Sequence, residues 1–275
     1  MLLSIVIPCY NHGIYIEETI QSVLNVIDFE IHEIIILNDG STDMHTNTIL
    51  EEIVSKNPNI QLVCHDNMGL ARTRNRGLEL ARGKYFLPLD SDNLLTEAYL
   101  TDGIDFLENN PDYTAAYGNS EMFGAKTGNI HNGPIVFQTL SLYNYIDACA
   151  LFRKETLKEL GGYDDKMPKH GMEDWELWLR LCVYQHKLHY LNQTVQKYRV
   201  LSDSMIRSYS KKERDNNLEY IQSKYPGYFD YEGVNKYYFD RFNSSPFFWI
   251  LKLSIQKYAQ ALYKYLLNKN KISKF

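Results

Sequence analysis

The sequence of 275 residues has few of the features that mark specialised classes of protein. Its four cysteines form no CxxC pair, which argues against a disulfide scaffold and a zinc site and indicates a reducing compartment. It has no run of about 18 uncharged apolar residues, so we expect no membrane-spanning helix. The net charge of -5 argues against a general nucleic-acid binder.

Glycine-rich loops that hold nucleotides are also missing. The sequence has no GxGxxG after its first predicted strand and no GxxxxGK followed by Ser or Thr, which excludes a dinucleotide fingerprint and a P-loop. A nucleotide bound here must therefore be held by side chains and a metal ion. The first residues, MLLSIVIPCYN, lack a basic segment and soon reach Pro8, so we predict a strand there rather than a signal peptide.

Strands and helices alternate through the first third of the chain. Four apolar runs are predicted as strands, at residues 2–7, 33–37, 60–65 and 85–90. Helical patterns separate them, and Ser41 or Thr42 can cap the second helix. This alternation predicts an α/β fold with a parallel-type sheet and helices on both faces. Ligands bind such sheets beyond the carboxyl ends of the strands.

Polar residues follow three of these four strands. The first strand ends in PCYN, the second in NDG and the fourth in DSDN, so we expect their side chains to converge on one crevice. Asp90 and Asp92 offer oxygen ligands that suit a hard cation such as Mg²⁺ or Mn²⁺. An Asp-x-Asp pair alone is more often a pair of solvated loop acids, and its place after a buried strand is what favours the metal.

Six motifs then occur in an order and spacing that resemble the family 2 glycosyltransferases. They are PCYN at 8–11, NDGSTD at 38–43, NMGLARTRNRG at 67–77, DSDN at 90–93, GGYDD at 161–165 and MEDWELWLRL at 172–181. The resemblance covers roughly residues 1–205. It implies the GT-A fold and an inverting, metal-dependent transfer of a sugar from a nucleoside diphosphate.

The resemblance also implies roles for the residues that bind the donor. Asp39 would accept a hydrogen bond from the uracil base, or it is only a turn residue before Gly40. Tyr10 would pack on the base, or it is a core tyrosine. Asp92 would bind the metal directly, and Asp90 would act on the ribose or through water. The full predicted donor set is Pro8, Tyr10, Asn11, Asp39, Arg74, Asp90 and Ser91.

The catalytic base implied by the resemblance is Asp174. Its alternative is a plain N-cap, because a carboxylate at a helix N-terminus is stabilised by the helix dipole. We predict four acceptor-side residues near it, Gly162, His170, Glu173 and Trp175. Two departures from the family pattern stand out. Asn38 replaces an aspartate, and Leu201 replaces a histidine that can complete the metal site, which leaves the third protein ligand open.

The second half of the chain changes character. We predict strands at 113–124 and 147–152, with a hairpin or flexible flap at 124–134 between them. We predict a helix at 173–185, a strand pair or extended segment at 187–200 and a charged helix at 208–224. The expected domains are a glycosyltransferase domain at 1–205 and a helical extension at 206–275. Within the first, a nucleotide-sugar half covers about 1–110 and an acceptor half about 111–205.

The tail at 245–275 is basic and amphipathic. No acidic residue occurs from Phe247 to Phe275, and three lysines lie on the face opposite its apolar residues, Lys257, Lys264 and Lys271. Such a helix could lie in a membrane interface or pack on the catalytic domain, and the pattern favours neither. We therefore expect a cytoplasmic protein, with a peripheral position on the inner membrane face as the membrane option.

The predicted function is transfer of one sugar from a nucleotide sugar, with UDP expected, to a hydroxyl of a bacterial-type polysaccharide or glycolipid. One alternative is a sugar nucleotidyltransferase, which would need a glycine-rich loop that PCYNHG does not supply. Another is a catalytically inactive binding subunit with the same fold, against which the intact Asp39, Asp92 and Asp174 argue. The identities of the sugar and the acceptor are not readable from the sequence.

Overall fold

The computed structural model describes residues 1–30, 32–201, 210–229, 231–247 and 250. The chain divides into two compact units, Met1–Tyr228 and Phe229–Phe275. The helix at Lys211–Lys224 belongs to the first unit. The domain boundary near residue 205 stays a prediction.

The strands of the described residues form one sheet in the first unit. They are β1 Leu3–Cys9, β2 His32–Asp39, β3 Ile60–His65, β4 Tyr85–Pro88, β5 Leu94–Leu95, β6 Tyr113–Gly124, β7 Gly128–Ile130, β8 Leu151–Arg153 and β9 Lys187–Val200. Their order is β3-β2-β1-β4-β8-β6-β9-β5, and β7 pairs with β6 outside this path. The four strands β1 to β4 are parallel, as predicted.

Helices follow most of these strands. Those described are α1 Gly13–Leu24, α2 Met44–Lys56, α3 Leu70–Leu80, α4 Glu97–Asn109, α5 Phe137–Leu140, α6 Lys154–Glu159, α7 Glu173–Val183, α8 Lys211–Lys224 and α9 Tyr231–Ser244. The N-cap of α2 is Asp43, whose carboxylate accepts from the backbone N–H groups of His45 and Thr46. The predicted caps Ser41 and Thr42 were therefore wrong. The cap lies one or two residues later, because the Asp43 carboxylate reaches both of these free N–H groups.

The apolar core explains why the first strands form. Every residue of β1 and of β2 is buried, as expected for parallel strands covered on both faces. Ile5 of β1 lies between Ile34 of β2 and Leu87 of β4 in the sheet register. Helix α3 packs close to this layer at Gly77, where a methyl group would lie 2.3 Å from the Val6 side chain. Only glycine permits that approach.

The sheet becomes mixed beyond β4. Strand β8 runs antiparallel to both β4 and β6, and β9 runs parallel to β6. The strand predicted at 147–152 begins instead at Leu151, because the Asp147 carboxylate accepts from the backbone N–H of Cys149 and bends the chain there. The segment at 124–134 includes the hairpin partner β7. The extended segment at 187–200 is one continuous strand.

The second unit contributes one described helix, α9. Most of the amphipathic tail predicted at 245–275 lies outside the described residues. Across the part of the chain that the structure describes, we find no helix with the length and apolar character needed to cross a membrane.

Candidate active site

The ends of three neighbouring strands bring the predicted donor residues to one edge of the sheet. Strands β2 and β4 flank β1, with Cys9 paired to Asn38 and Val6 paired to Pro88. Pro8 is within β1, and Tyr10 follows it with 45% of its surface exposed. The expected adjacency of the first, second and fourth strand ends is therefore present in the fold.

Asn11 ties the loop after β1 to the loop after β2. Its backbone is left-handed, with φ of 53°, a conformation that asparagine tolerates better than most residues. Its side-chain oxygen accepts from the backbone N–H groups of Thr42 and Asp43, at 2.9 and 3.0 Å. Asn11, which is predicted to bind the nucleotide-sugar donor, thus fixes the relative position of the two loops.

Asp39 lies at the end of β2 and is 5% exposed. Its two carboxylate oxygens accept from the backbone N–H groups of Met68 and Gly69, at 2.7 and 3.1 Å, at the N-terminus of α3. The nearest nitrogen of His65 lies 3.5 Å away. These contacts hold the carboxylate in one orientation and leave a second acceptor direction on each oxygen for a ligand N–H.

Arg74 of α3 is the buried centre of the site, with 2% of its surface exposed. Its guanidinium donates to Asp90 at 2.7 Å and to Glu173 at 2.9 Å. Burial disfavours the charged form, but Asp90 and Glu173 keep the pKa of Arg74 above its ordinary value. Arg74 was predicted to bind the donor, and the structure places it as the link between the loop after β4 and the start of α7.

The loop that carries Asp90 and Asp92 is held from several sides. Ser91 is buried, its hydroxyl lies 2.9 Å from His12 Nδ1, and its carbonyl accepts from the Thr19 hydroxyl. Arg199 of β9 donates through Nε to the Asp92 carbonyl at 2.8 Å. Ser91, which is predicted to bind the nucleotide-sugar donor, therefore makes internal contacts that set the orientation of Asp90 and Asp92.

The carboxylate of Asp92 is electrostatically unfavourable where it stands. Burial, and then the nearby charge of Asp90, raise the pKa of Asp92 to about 7. A cation would relieve both effects, and oxygen donors are the ligands that Mg²⁺ and Mn²⁺ prefer. Within the described residues, no three His, Cys, Asp or Glu side chains are grouped for a metal. The residues thus fit a cation that takes its remaining ligands from phosphate and water.

Asp174 lies on the first turn of α7, on the same side of the molecule as Arg74 and Glu173. One carboxylate oxygen accepts from its neighbour Trp175 N–H at 2.8 Å, and the other accepts from Asn144 Nδ2 at 2.9 Å. The N-cap position of α7 is occupied by Met172, so the alternative that Asp174 is a plain N-cap was wrong. Burial, and then Glu173, raise the pKa of Asp174.

Asp147 is a site residue that the sequence analysis missed. It lies near the other carboxylates of the cleft, since burial and then the charge of Asp90 raise its pKa. The apolar run that contains Asp147 predicts a strand at 147–152. An acid inside such a run, DACALF, is the signal that could have identified it, because a buried carboxylate is costly unless it has a partner.

Three of the four predicted acceptor-side residues make internal contacts. Glu173 also accepts from the Gly171 N–H at 2.7 Å. Trp175 is 6% exposed, and its indole N–H donates to the Leu140 carbonyl. Gly162 has φ of 70°, and a methyl group there would lie 2.4 Å from the Asn75 side-chain oxygen. Their direct contact with an acceptor stays a prediction.

The fourth predicted acceptor-side residue, His170, is exposed and lies beside the N-terminus of α3. Its ring lies against Gly69, where a methyl group would be 2.7 Å from both Cε1 and Nε2 of the imidazole. Gly69 is one of the residues whose N–H binds Asp39. The structure therefore places His170 beside the predicted donor residue Asp39.

Comparison with known proteins agrees with this geometry. The model of the family described as glycosyl transferase family 2 matches residues 4–161. An uncharacterized glycosyltransferase of Haemophilus influenzae is 32% identical over 160 residues, which are 53% of this chain and 49% of that protein. Chondroitin synthase of Pasteurella multocida is 38% identical over 96 residues, 34% of this chain and 10% of the synthase. The chain therefore spans half or less of the length of these two relatives.

A solved structure shares the fold. The TarS protein of S. aureus, in complex with UDP-GlcNAc, superposes with a TM-score of 0.64 at 18% identity, covering 76% of this chain and 62% of the other. At this identity the likeness bears on the fold alone, and it confirms the predicted GT-A architecture. The family match covers more than half of the chain and favours this family over the sugar nucleotidyltransferases. The chain belongs to glycosyl transferase family 2.

Proposed function

We propose that the protein transfers a sugar from a UDP-sugar, with inversion and with the help of a divalent cation, to a hydroxyl group of a growing polysaccharide or glycolipid. The observation that carries the proposal is the bridge made by Arg74. It joins Asp90 of the predicted metal loop to Glu173, the residue before the predicted base Asp174. One buried side chain thus holds the leaving-group end and the acceptor end of the reaction together.

The donor base binds, in this proposal, at the Asp39 end of the cleft. The Asp39 carboxylate accepts from the ring N–H of uracil through the acceptor directions that Met68 and Gly69 leave open. The exposed ring of Tyr10 packs on the base, with Pro8 and Asn11 shaping the loop beside it. Support for uracil comes from TarS, whose structure holds UDP-GlcNAc.

The departing diphosphate lies at the Asp90 and Asp92 end. A divalent cation held by Asp92 together with Asp90 would act as a Lewis acid toward the negative charge that develops on the phosphate oxygens. The protein's own part is to keep the two aspartates in place. Ser91, Thr19 and Arg199 do this through their contacts within the loop and its neighbours.

The acceptor hydroxyl is activated by Asp174. Its carboxylate takes the hydroxyl proton while the acceptor oxygen bonds to the anomeric carbon and the bond from that carbon to the diphosphate breaks. Attack from the face opposite the leaving group inverts the anomeric centre, and no enzyme nucleophile is needed. The raised pKa of Asp174 suits a base that works near neutral pH.

The donor half of the proposal is tested by thermal unfolding with a panel of nucleoside diphosphates and nucleotide sugars, with and without Mn²⁺. Ligands that bind only the folded state raise its melting temperature. We expect the largest rise with UDP compounds and Mn²⁺, its loss with EDTA, and loss of the Mn²⁺-dependent part in Asp92→Asn. The matched control is Asp105→Asn, an exposed aspartate of α4. A larger rise with another base, or none, would contradict the proposed donor.

Turnover separates an enzyme from an inactive binding subunit. The stabilising nucleotide sugar is incubated with Mn²⁺ and candidate saccharide or lipid-linked acceptors, and release of the nucleoside diphosphate is followed. We expect release with the wild type and less in Asp92→Asn. Donor binding without any release across the acceptor panel would favour the inactive subunit.

Of the two options that the sequence leaves open for the tail at 245–275, we propose for test that it binds an anionic membrane surface. Basic residues attract such a surface, and apolar residues on the opposite helix face would enter it. Full-length protein should sediment with anionic vesicles, and the triple variant Lys257→Glu, Lys264→Glu and Lys271→Glu should not. Equal sedimentation of both proteins would rule the proposal out.

A further inference from the structure

The segment before α7 is anchored on both sides of His170. Asn217 of α8 is fully buried, and its side chain accepts from the Lys169 N–H at 2.9 Å and donates to the Lys169 carbonyl at 2.8 Å. On the other side, Gly171 has φ of 105° and donates its N–H to Glu173. The backbone on each side of His170 therefore has a fixed position.

The anchored segment sets the His170 ring against Gly69. That glycine has φ of 86° and is the N-cap residue of α3. A side chain at this position would collide with the imidazole, since the added carbon would lie 2.7 Å from Nε2. The ring is otherwise exposed, and the described part of the chain gives it no hydrogen-bond partner. An aromatic ring is thus held at the rim of the cleft, next to the turn that binds Asp39.

We infer that His170 is a donor-binding residue that contacts the base of the nucleoside diphosphate, and that Asn217 of α8 is the residue that positions it. The inference rests on the proposed function, because it takes Asp39 to mark the base end of the cleft. It places on the donor side a residue that the sequence analysis assigned to the acceptor side.

The chemistry of the contact is stacking or edge packing of the imidazole on the base. Aromatic side chains bind nucleobases in this way, and removing one weakens binding by about fivefold or more. The contact requires a base, so a ligand that carries only the diphosphate should not sense His170. That difference separates a contact with the base from general support of the fold.

Two probes therefore test the inference by calorimetry on the full chain with Mn²⁺, UDP and inorganic pyrophosphate. For His170→Ala, we expect UDP to bind roughly five- to tenfold more weakly and pyrophosphate to bind as in the wild type. His170→Phe keeps a ring and should restore UDP binding to within about twofold. The matched control is His131→Ala, an exposed histidine of the segment after β7.

Asn217→Ala tests the positioning role with the same probes. It should weaken UDP binding in the same direction as His170→Ala and leave pyrophosphate unchanged, because only the segment at Lys169 and His170 loses its anchor. Equal weakening of both ligands would mean that Asn217 supports the fold in general, and would overturn its assigned role.

The outcomes distinguish this inference from the proposed function. If UDP binds the wild type and Asp39→Asn weakens it while His170→Ala does not, the inference fails and the donor site stands. The inference also fails if His170→Ala weakens UDP and pyrophosphate equally. If no nucleoside diphosphate binds the wild type, the proposed function falls and the inference falls with it.

Discussion

Two regions of the first compact unit are held together by different forces. The layer of β1 to β4 is built from apolar strands, and its core residues lie together in one hydrophobic cluster. The region of α7 and α8 also buries polar side chains among its apolar ones, including Glu176 and Asn217, which are both fully buried. Catalytic candidates lie where the two regions meet, at Arg74.

The polar region is a connected network. Glu176 of α7 accepts from Arg180 at 2.8 Å and from Lys224 of α8 at 2.5 Å, and Tyr225 also donates to it. Lys224 in turn binds Asp164 in the loop before α7. Buried charges are costly unless each has a partner. A truncated side chain in the apolar layer therefore loses packing, whereas the loss of one partner in the polar region leaves a buried charge unpaired.

Arg74→Ala should have the largest effect on stability. It leaves Asp90 and Glu173 without their partner, and losing one member of a buried pair destabilises a protein by about 3–5 kcal/mol. Urea unfolding measures the change. The control is Arg72→Ala, whose ion pair with Asp165 is exposed and should contribute about 1 kcal/mol or less. Similar losses for both variants would contradict the role given to Arg74.

The apolar layer should respond differently to Ile5→Ala. Removing this buried side chain should destabilise the fold by about 2–5 kcal/mol, but leave the turnover of the folded fraction unchanged. Unfolding and activity are measured on one preparation. Ile14→Ala, at an exposed position, should change stability by less than about 0.5 kcal/mol. A large fall in turnover per folded molecule would contradict the view that the apolar layer contributes stability alone.

Asn144→Ala tests the contact that orients the predicted base Asp174. Its amide donates to Asp174, so its loss frees the base to rotate away from the acceptor. We expect turnover to fall about tenfold, equivalent to about 1.4 kcal/mol, with donor binding unchanged. Steady-state kinetics check this, and an unchanged turnover would mean that Asn144 does not orient Asp174.

The pH dependence should give the smallest effect. In the proposed mechanism, Asp174 accepts a proton only when it is deprotonated, so activity is lost as pH falls through its pKa. Burial and Glu173 raise that pKa, so the loss begins above the range of an ordinary aspartate, whose pKa is about 3.9. Asn144→Asp adds a second negative charge and should move the acid limb up by about one pH unit. A limb that moves down would contradict the assignment.

The strands were the most predictable part of the fold. The predicted bounds of β3 and β6 agree with the structure at both ends, because each run is apolar or β-forming and is bounded by turn residues. The start of β8 was not predictable from its apolar run. The turn at Asp147 depends on a side-chain hydrogen bond that outweighs strand propensity there.

The sequence named candidate site residues, whose roles stay predictions, but it did not reveal their contacts. Motifs named Arg74 and Asp174, yet Glu173, one of the two partners of Arg74, is 99 residues away in sequence, and no local pattern indicates that contact. His170 was predicted on the acceptor side because it lies close in sequence to Asp174, whereas its neighbour in space is Gly69, which motivates the donor-side inference. Loop positions depend on anchors such as Asn217 that no local pattern reveals.

In the proposed mechanism, the strand ends hold the nucleotide-sugar donor and α7 supplies the catalytic base. Asp174→Asn tests it, with UDP affinity and UDP release from the donor measured side by side on one preparation. We predict affinity within about twofold of wild type and release slower by about 100-fold or more. Release near the wild-type rate at unchanged affinity would contradict the account.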